Sequence, residues 1–196
     1  MTVKNKLVAC ALLLASPSCW AEAQSFAMDH ASVDVASCQD VAVKERMFSC
    51  HRIERGTGYV VATRQYWPPR RSDDDAFEKV TVVFQSKPNR GDKLDVARNG
   101  VAVFFSAGPS SFPGNHGCYG AARDGVVDVV SVSESAIRVL VSATIDVQSP
   151  LGFQGECQPK KMLKREITAR VARVDDLTTW RGRKDGSPDA WDEAHP

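Results

Sequence analysis

The chain has 196 residues, 25 Lys and Arg against 24 Asp and Glu, a formal charge of +1, and 43% apolar residues. That balance excludes the one-signed field with which a protein gathers nucleic acid or anionic lipid, so no nucleic-acid partner is expected. The length suits one domain with a real core and neither a disordered tail nor two large domains.

The chain opens MTVKNKLVACALLLASPSCWAEAQ. Lys4 and Lys6 make a basic start, Leu7–Ala15 is a short apolar core, and Ala21-Glu22-Ala23 supplies a small-x-small cleavage pattern. Residues 1–23 therefore read as a secretory signal peptide cut after Ala23. The apolar run is about half the roughly 20 residues a membrane helix needs, and no later segment is longer, so no transmembrane anchor is expected after processing. Leu7-Val8-Ala9-Cys10 resembles a lipoprotein box, but a cut there leaves too short an apolar core. Loss of Lys4, Lys6 and Glu22 with the leader takes the formal charge to zero. The expected location is the periplasm or the medium.

Cys10 and Cys19 leave with the leader, and Cys38, Cys50, Cys118 and Cys157 remain. An even number in an oxidising compartment points to two disulfides. Of the three possible pairings, Cys38–Cys50 with Cys118–Cys157 keeps each pair within one half of the chain and is favoured on that ground. Residues 37–50 are ambiguous. Ser37-x-x-Asp40 resembles a helix capping box, yet a continuous helix from Cys38 to Cys50 would separate their α-carbons by about 18 Å, against the roughly 4.4–6.8 Å of a disulfide. A short helix or turn followed by a strand through Phe48–Glu54 satisfies the bridge.

Further along, Tyr59–Gln65 (YVVATRQ) reads as the return arm of a hairpin turning at Arg55–Gly58, and Glu78–Gln85 (EKVTVVFQ) as a strand. KLDVARNGVAVFF predicts a hairpin about Asn99-Gly100, a pair able to take the positive φ angles of a tight turn. Gly125–Ser133 is rich in β-branched residues. Ala136–Gln148 (AIRVLVSATIDVQ) is the clearest element. Ile137, Val139, Val141, Ala143, Ile145 and Val147 alternate with polar residues, Leu140 excepted, so one face is dry and one wet. Arg165–Val174 alternates likewise. The fold class is all-β, mainly antiparallel: a β-sandwich or partly open barrel of about eight strands with at most one short helix. Residues 24–180 form one disulfide-stabilised domain. Residues 181–196 (RGRKDGSPDAWDEAHP) lack periodicity and read as a flexible polar tail.

Two stretches are candidates for function. SSFPGNHGCYG (Ser110–Gly120) places His116 two residues from Cys118, and a thiol enzyme or hydrolase could be built on that pair if the thiol were free. Free, it would leave another cysteine unpaired, so a stapled glycine-containing loop is the stronger reading. No G-x-S-x-G elbow occurs. His30, His51, His116 and His195 lack ligand spacing, His51 reading as a sheet residue, and Asp73-Asp74-Asp75 lacks a calcium pattern; no metal or cofactor is expected. Tyr66–Asp75 (YWPPRRSDDD) combines two aromatics, a stiff Pro-Pro and two arginines, the composition of binding hot spots. Tyr66, Trp67, Arg70 and Arg71 are the expected contact residues, with Phe112, Asn115, His116 and Tyr119 joining them if the second loop lies at the same end. The basic run Lys160-Lys161…Lys164-Arg165 reads as solvated charge guarding an edge strand. The function expected is a non-catalytic interaction module of the cell envelope (an inhibitor, immunity or accessory factor) that meets another protein. A small-ligand or lipid carrier with a cavity between its sheets is the other alternative.

Overall fold

The computed structural model describes residues 22–38, 50–67, 76–96, 98, 100–109, 117–149 and 157–174. Eight strands follow one another: β1 (Glu22–Asp34), β2 (Arg52–Trp67), β3 (Ala76–Phe84), β4 (Lys93–Asp95), β5 (Val101–Pro109), β6 (Cys118–Val132), β7 (Ala136–Gln148) and β8 (Lys160–Val171). A 3-10 turn, Val35–Cys38, follows β1. All strands belong to one mixed, mostly antiparallel sheet ordered β4-β6-β5-β3-β2-β1-β8-β7, and β6 also pairs with β7. The sheet thus closes into a ring, though not a regular barrel, in keeping with the all-β expectation.

The alternation of β7 appears as expected, with Ile137, Val139, Val141, Ala143 and Ile145 all buried. They meet Tyr59, Val61, Val80, Val82, Phe84, Val103, Phe105, Leu163 and Ile167 in one core inside the ring. Leu140 points outward with its polar neighbours and is 39% exposed. Apolar burial of this kind supplies the main driving force.

Three local expectations are corrected. Residues 93–105 do not form a hairpin about Asn99-Gly100. β5 pairs with β3 along its whole length, Phe84↔Val101 to Ala76↔Pro109, because that register sets Val80 and Val82 beside Phe105 and Val103 on the dry face. β4 instead lies against β6. Second, Arg55–Gly58 is not a turn: β2 runs through it, and Ala31 of β1 faces both Arg55 and Gly58 in a bulge. Third, the last strand starts at Lys160, so the basic run is part of it.

β6 shows why glycines sit where they do. One of its edges serves β5 through Cys118–Ala121 and then β4 through Val126–Asp128, with an irregularity at Ala122/Asp124 between them. The handover requires a bend, and Gly125 takes φ 139° there, a conformation open to glycine. At Gly120 the constraint is steric: a Cβ would overlap the Asp146 carbonyl oxygen of β7. Gly120→Ala is expected to lower stability by about 3 kcal/mol, read as a shift of the urea midpoint at constant slope.

The bulge also folds the β1–β2 hairpin back on the ring. Along a straight strand His51 would lie about 43 Å from Arg64. Instead the Lys79 ammonium, next to Arg64 across the β2–β3 ladder, donates to the carbonyls of Cys50 and His51. The folded arm seals a second apolar cluster, in which Ile53 and Ala31 pack with Phe26, Met28, Val60, Ala62 and Val174. β1 and β2 are therefore covered on both faces.

Candidate functional site

Register places the candidate loops. Trp67 pairs with Ala76, Ala76 with Pro109, Ala107 with Cys118, Tyr119 with Gln148, and Asp146 with Lys160. The strand ends bracketing residues 68–75, 110–117 and 149–159 therefore all lie at one end of the ring, together with Glu22, which faces Tyr66. The two loops singled out from the sequence are anchored side by side. The side chains of Tyr66 and Trp67, and the residues Arg70, Arg71, Phe112, Asn115 and His116, lie outside the described positions.

Both expected disulfides are present, Cys38–Cys50 and Cys118–Cys157. Cys118–Cys157 ties the start of β6 to the connection before β8 at the loop end. Cys118 consequently holds no thiol for a base to ionise, and the arrangement lacks the nucleophile a thiol enzyme needs. Cys38, Cys50 and His51 bring ligand-type atoms within 4.8 Å of one another, but both sulfurs are spent on the disulfide and offer no thiolate to a metal.

Inside the ring at the loop end sits a polar cluster. Lys161 Nζ donates to Glu78 Oε2 at 2.8 Å, and Arg165 donates to Gln65 Oε1 at 3.0 Å and to Glu78 Oε1. Lys161 also lies 4.2 Å over the Phe105 ring, and Ser25 donates to Thr63 at 2.9 Å. The Glu78 side chain is only 12% exposed, so two cations compensate one nearly buried carboxylate. Below it lie the apolar side chains of the ring core.

Under the folded arm lies a second polar layer. His51, Arg64, Lys79, Thr81 and Ser106 are all buried. His51 is not a sheet residue: it sits in the turn before β2 at φ 54°, stacked at 4.9 Å on Phe104. Its Nδ1 is 3.8 Å from Cys50 Sγ. Burial, and secondarily the Lys79 charge, push its pKa from 6.5 down to about 3, so it is neutral at any ordinary pH. Tyr119 is half-buried against the Cys38–Cys50 disulfide and edge-on to His51. It packs the arm onto the ring. A third feature, a cleft of about 720 Å³ lined by Asp29, His30, Arg55, Gly56 and residues 171–174, opens beside the bulge.

Sequence reasoning missed Glu78, Lys79 and His51. Alternation along EKVTVVFQ places Lys79 on the solvent face, and only the folded arm turns that face into an interior. The inward position of Glu78 was visible in the same alternation.

The fold and site define a disulfide-stapled, all-β ring with loops gathered at one end. No family model matches the chain, and no curated protein or solved structure shows significant similarity to it. Two disulfides favour a non-reducing, extracellular-type compartment, and among the described residues no helix is long and apolar enough to cross a membrane.

Proposed function

We infer that the protein is an exported, non-catalytic interaction module of the cell envelope, of the inhibitor, immunity or accessory-factor type, which engages another protein with the loop end of its ring. The observation that carries this reading is the register: it brings the strand ends that flank residues 68–75 and 110–116 to the same end, where Cys118–Cys157 ties the start of β6 to the connection before β8. Loops held on a rigid frame lose little entropy on binding, and aromatic and Arg side chains on them supply most of the affinity. The leader-like residues 1–23 and the two disulfides support export to the periplasm or medium.

The test is affinity capture from envelope and culture fractions with the intact protein, Trp67→Ala and Arg70→Ala/Arg71→Ala as baits. One identified protein should be retained by the native bait and reduced at least tenfold by each variant. Retention unchanged in both variants, or no specific protein retained, refutes the reading.

A further inference from the structure

The ring strands are β6, β5, β3, β2, β1, β8 and β7, seven in number. Neighbours in an antiparallel ring reverse direction at every step, so such a ring closes only with an even number. Here the oddness is absorbed at one seam, where β1 and β8 run parallel and share two rungs, Phe26↔Arg170 and Ala27↔Val171. Towards the loop end the ladder stops. Among the described residues, Lys160–Thr168 of β8 pair only with β7, and Glu22–Ser25 of β1 only with β2.

The direction of the free groups follows from three hydrogen bonds. Ala172 N–H donates to Ala27 across the seam, whereas Val171 N–H donates to Ser135 and the Pro159 carbonyl accepts from Val147, both on the β7 side. By strand alternation, the even residues Lys160, Met162, Lys164, Glu166 and Thr168 turn their N–H and C=O groups toward the seam. Ala23 and Ser25 do so from β1.

Resting on the interaction reading above, we propose that this seam is a strand-addition site, and that the partner docks there as an extended segment alternating acidic and apolar residues. A strand inserted antiparallel to both β1 and β8 makes the ring even-numbered and pairs both free edges, with the two rungs at Phe26 and Ala27 as the apex. The chemistry of the segment follows from the walls. Lys160 and Lys164 are exposed on the outer face of β8 with no acidic partner among the described residues, and Met162 between them is 69% exposed. Leu163 and Ile167 face inward, while Lys161 and Arg165 are already held by Glu78. Carboxylates therefore belong on the outward positions of the added strand and apolar groups on the inward ones. The same lysines repel a basic strand and resist an all-apolar one, giving selectivity through the edge.

The experiment uses the intact protein and two fluorescent capped peptides of about eight residues, one of alternating Val and Glu, the other of alternating Val and Lys. The acidic peptide should bind at least tenfold more tightly and slow hydrogen exchange at the seam-facing amides of Ala23, Ser25, Lys160, Met162, Lys164, Glu166 and Thr168. Lys164→Pro deletes one seam-facing N–H without touching the β7 ladder, and Lys164→Glu keeps the N–H but reverses the charge. Each should weaken binding at least tenfold while the circular dichroism and thermal midpoint stay native. Equal binding of the two peptides, no binding, slowed exchange elsewhere, or wild-type binding by either Lys164 variant overturns the proposal. So does slow exchange of these amides before peptide is added, or a dimer that Lys164→Pro dissociates, since the seam is then filled by the chain's own tail or by a second copy. The two readings fail separately. A protein captured through Trp67 but indifferent to Lys164→Pro removes strand addition and leaves the interaction module, whereas peptide binding without any captured protein does the reverse.

Discussion

Replacing Cys118 and Cys157 together with serine is expected to cost about 4 kcal/mol, and replacing Cys38 and Cys50 about 3 kcal/mol. The bridges close segments of sequence separation 39 and 12, and the entropy withheld from the unfolded chain grows with the logarithm of that length. A domain of this size has a margin of roughly 5–15 kcal/mol, so the Cys118–Cys157 loss alone removes a large part of it. It also releases the start of β6 from the connection before β8, and capture through the loop end should weaken with it. Urea unfolding of the two double variants checks both values. A cost below about 1 kcal/mol for Cys118→Ser/Cys157→Ser would show that the β6–β7 ladder orders this end unaided.

Acid should unfold the protein through His51. The imidazole stays neutral in the fold down to about pH 3, while in the unfolded chain it takes a proton below its ordinary value of about 6.5. The unfolded state therefore binds more protons in that window, and stability falls as pH falls from 6.5 toward 3, with no contribution from His51 above 6.5. The slope approaches about 1.4 kcal/mol per pH unit, amounting to roughly 2–3 kcal/mol by pH 4.5. Carboxylates in general protonate over the same range, so the comparison must be with a variant. His51→Asn suits the positive φ at this position and has nothing to titrate. Unfolding free energies at several pH values should show the native protein losing roughly 2 kcal/mol more than the variant between pH 6.5 and 4.5. Parallel curves would mean that water reaches His51 when it is charged.

The places where sequence reasoning held and failed have physical causes. β7 was legible to the residue because one face is dry and the other wet, so hydrophobicity repeats with the period of the backbone. β1 was not recognised, because Ala27 faces the ring core while Phe26 and Met28 face the folded arm; a strand buried on both faces loses its period-two signal. The Asn99-Gly100 turn was read from a local preference, and nine rungs between β3 and β5 outweighed it. The two loops were conspicuous by composition, but their adjacency rests on pairings between residues tens of positions apart.

By itself the amino-acid sequence determined the all-β class and the dry face of β7 and, through the parity of its cysteines, pointed to two disulfides. These follow from backbone periodicity and short-range geometry, which the chain carries in every window. Only the tertiary structure decided that the β1–β2 arm folds over Lys79 and His51, that the loops share an end, and that an odd ring leaves a seam between β1 and β8. Those outcomes depend on which surfaces meet once the ring closes, and burial acts on area brought together in space regardless of its distance along the chain.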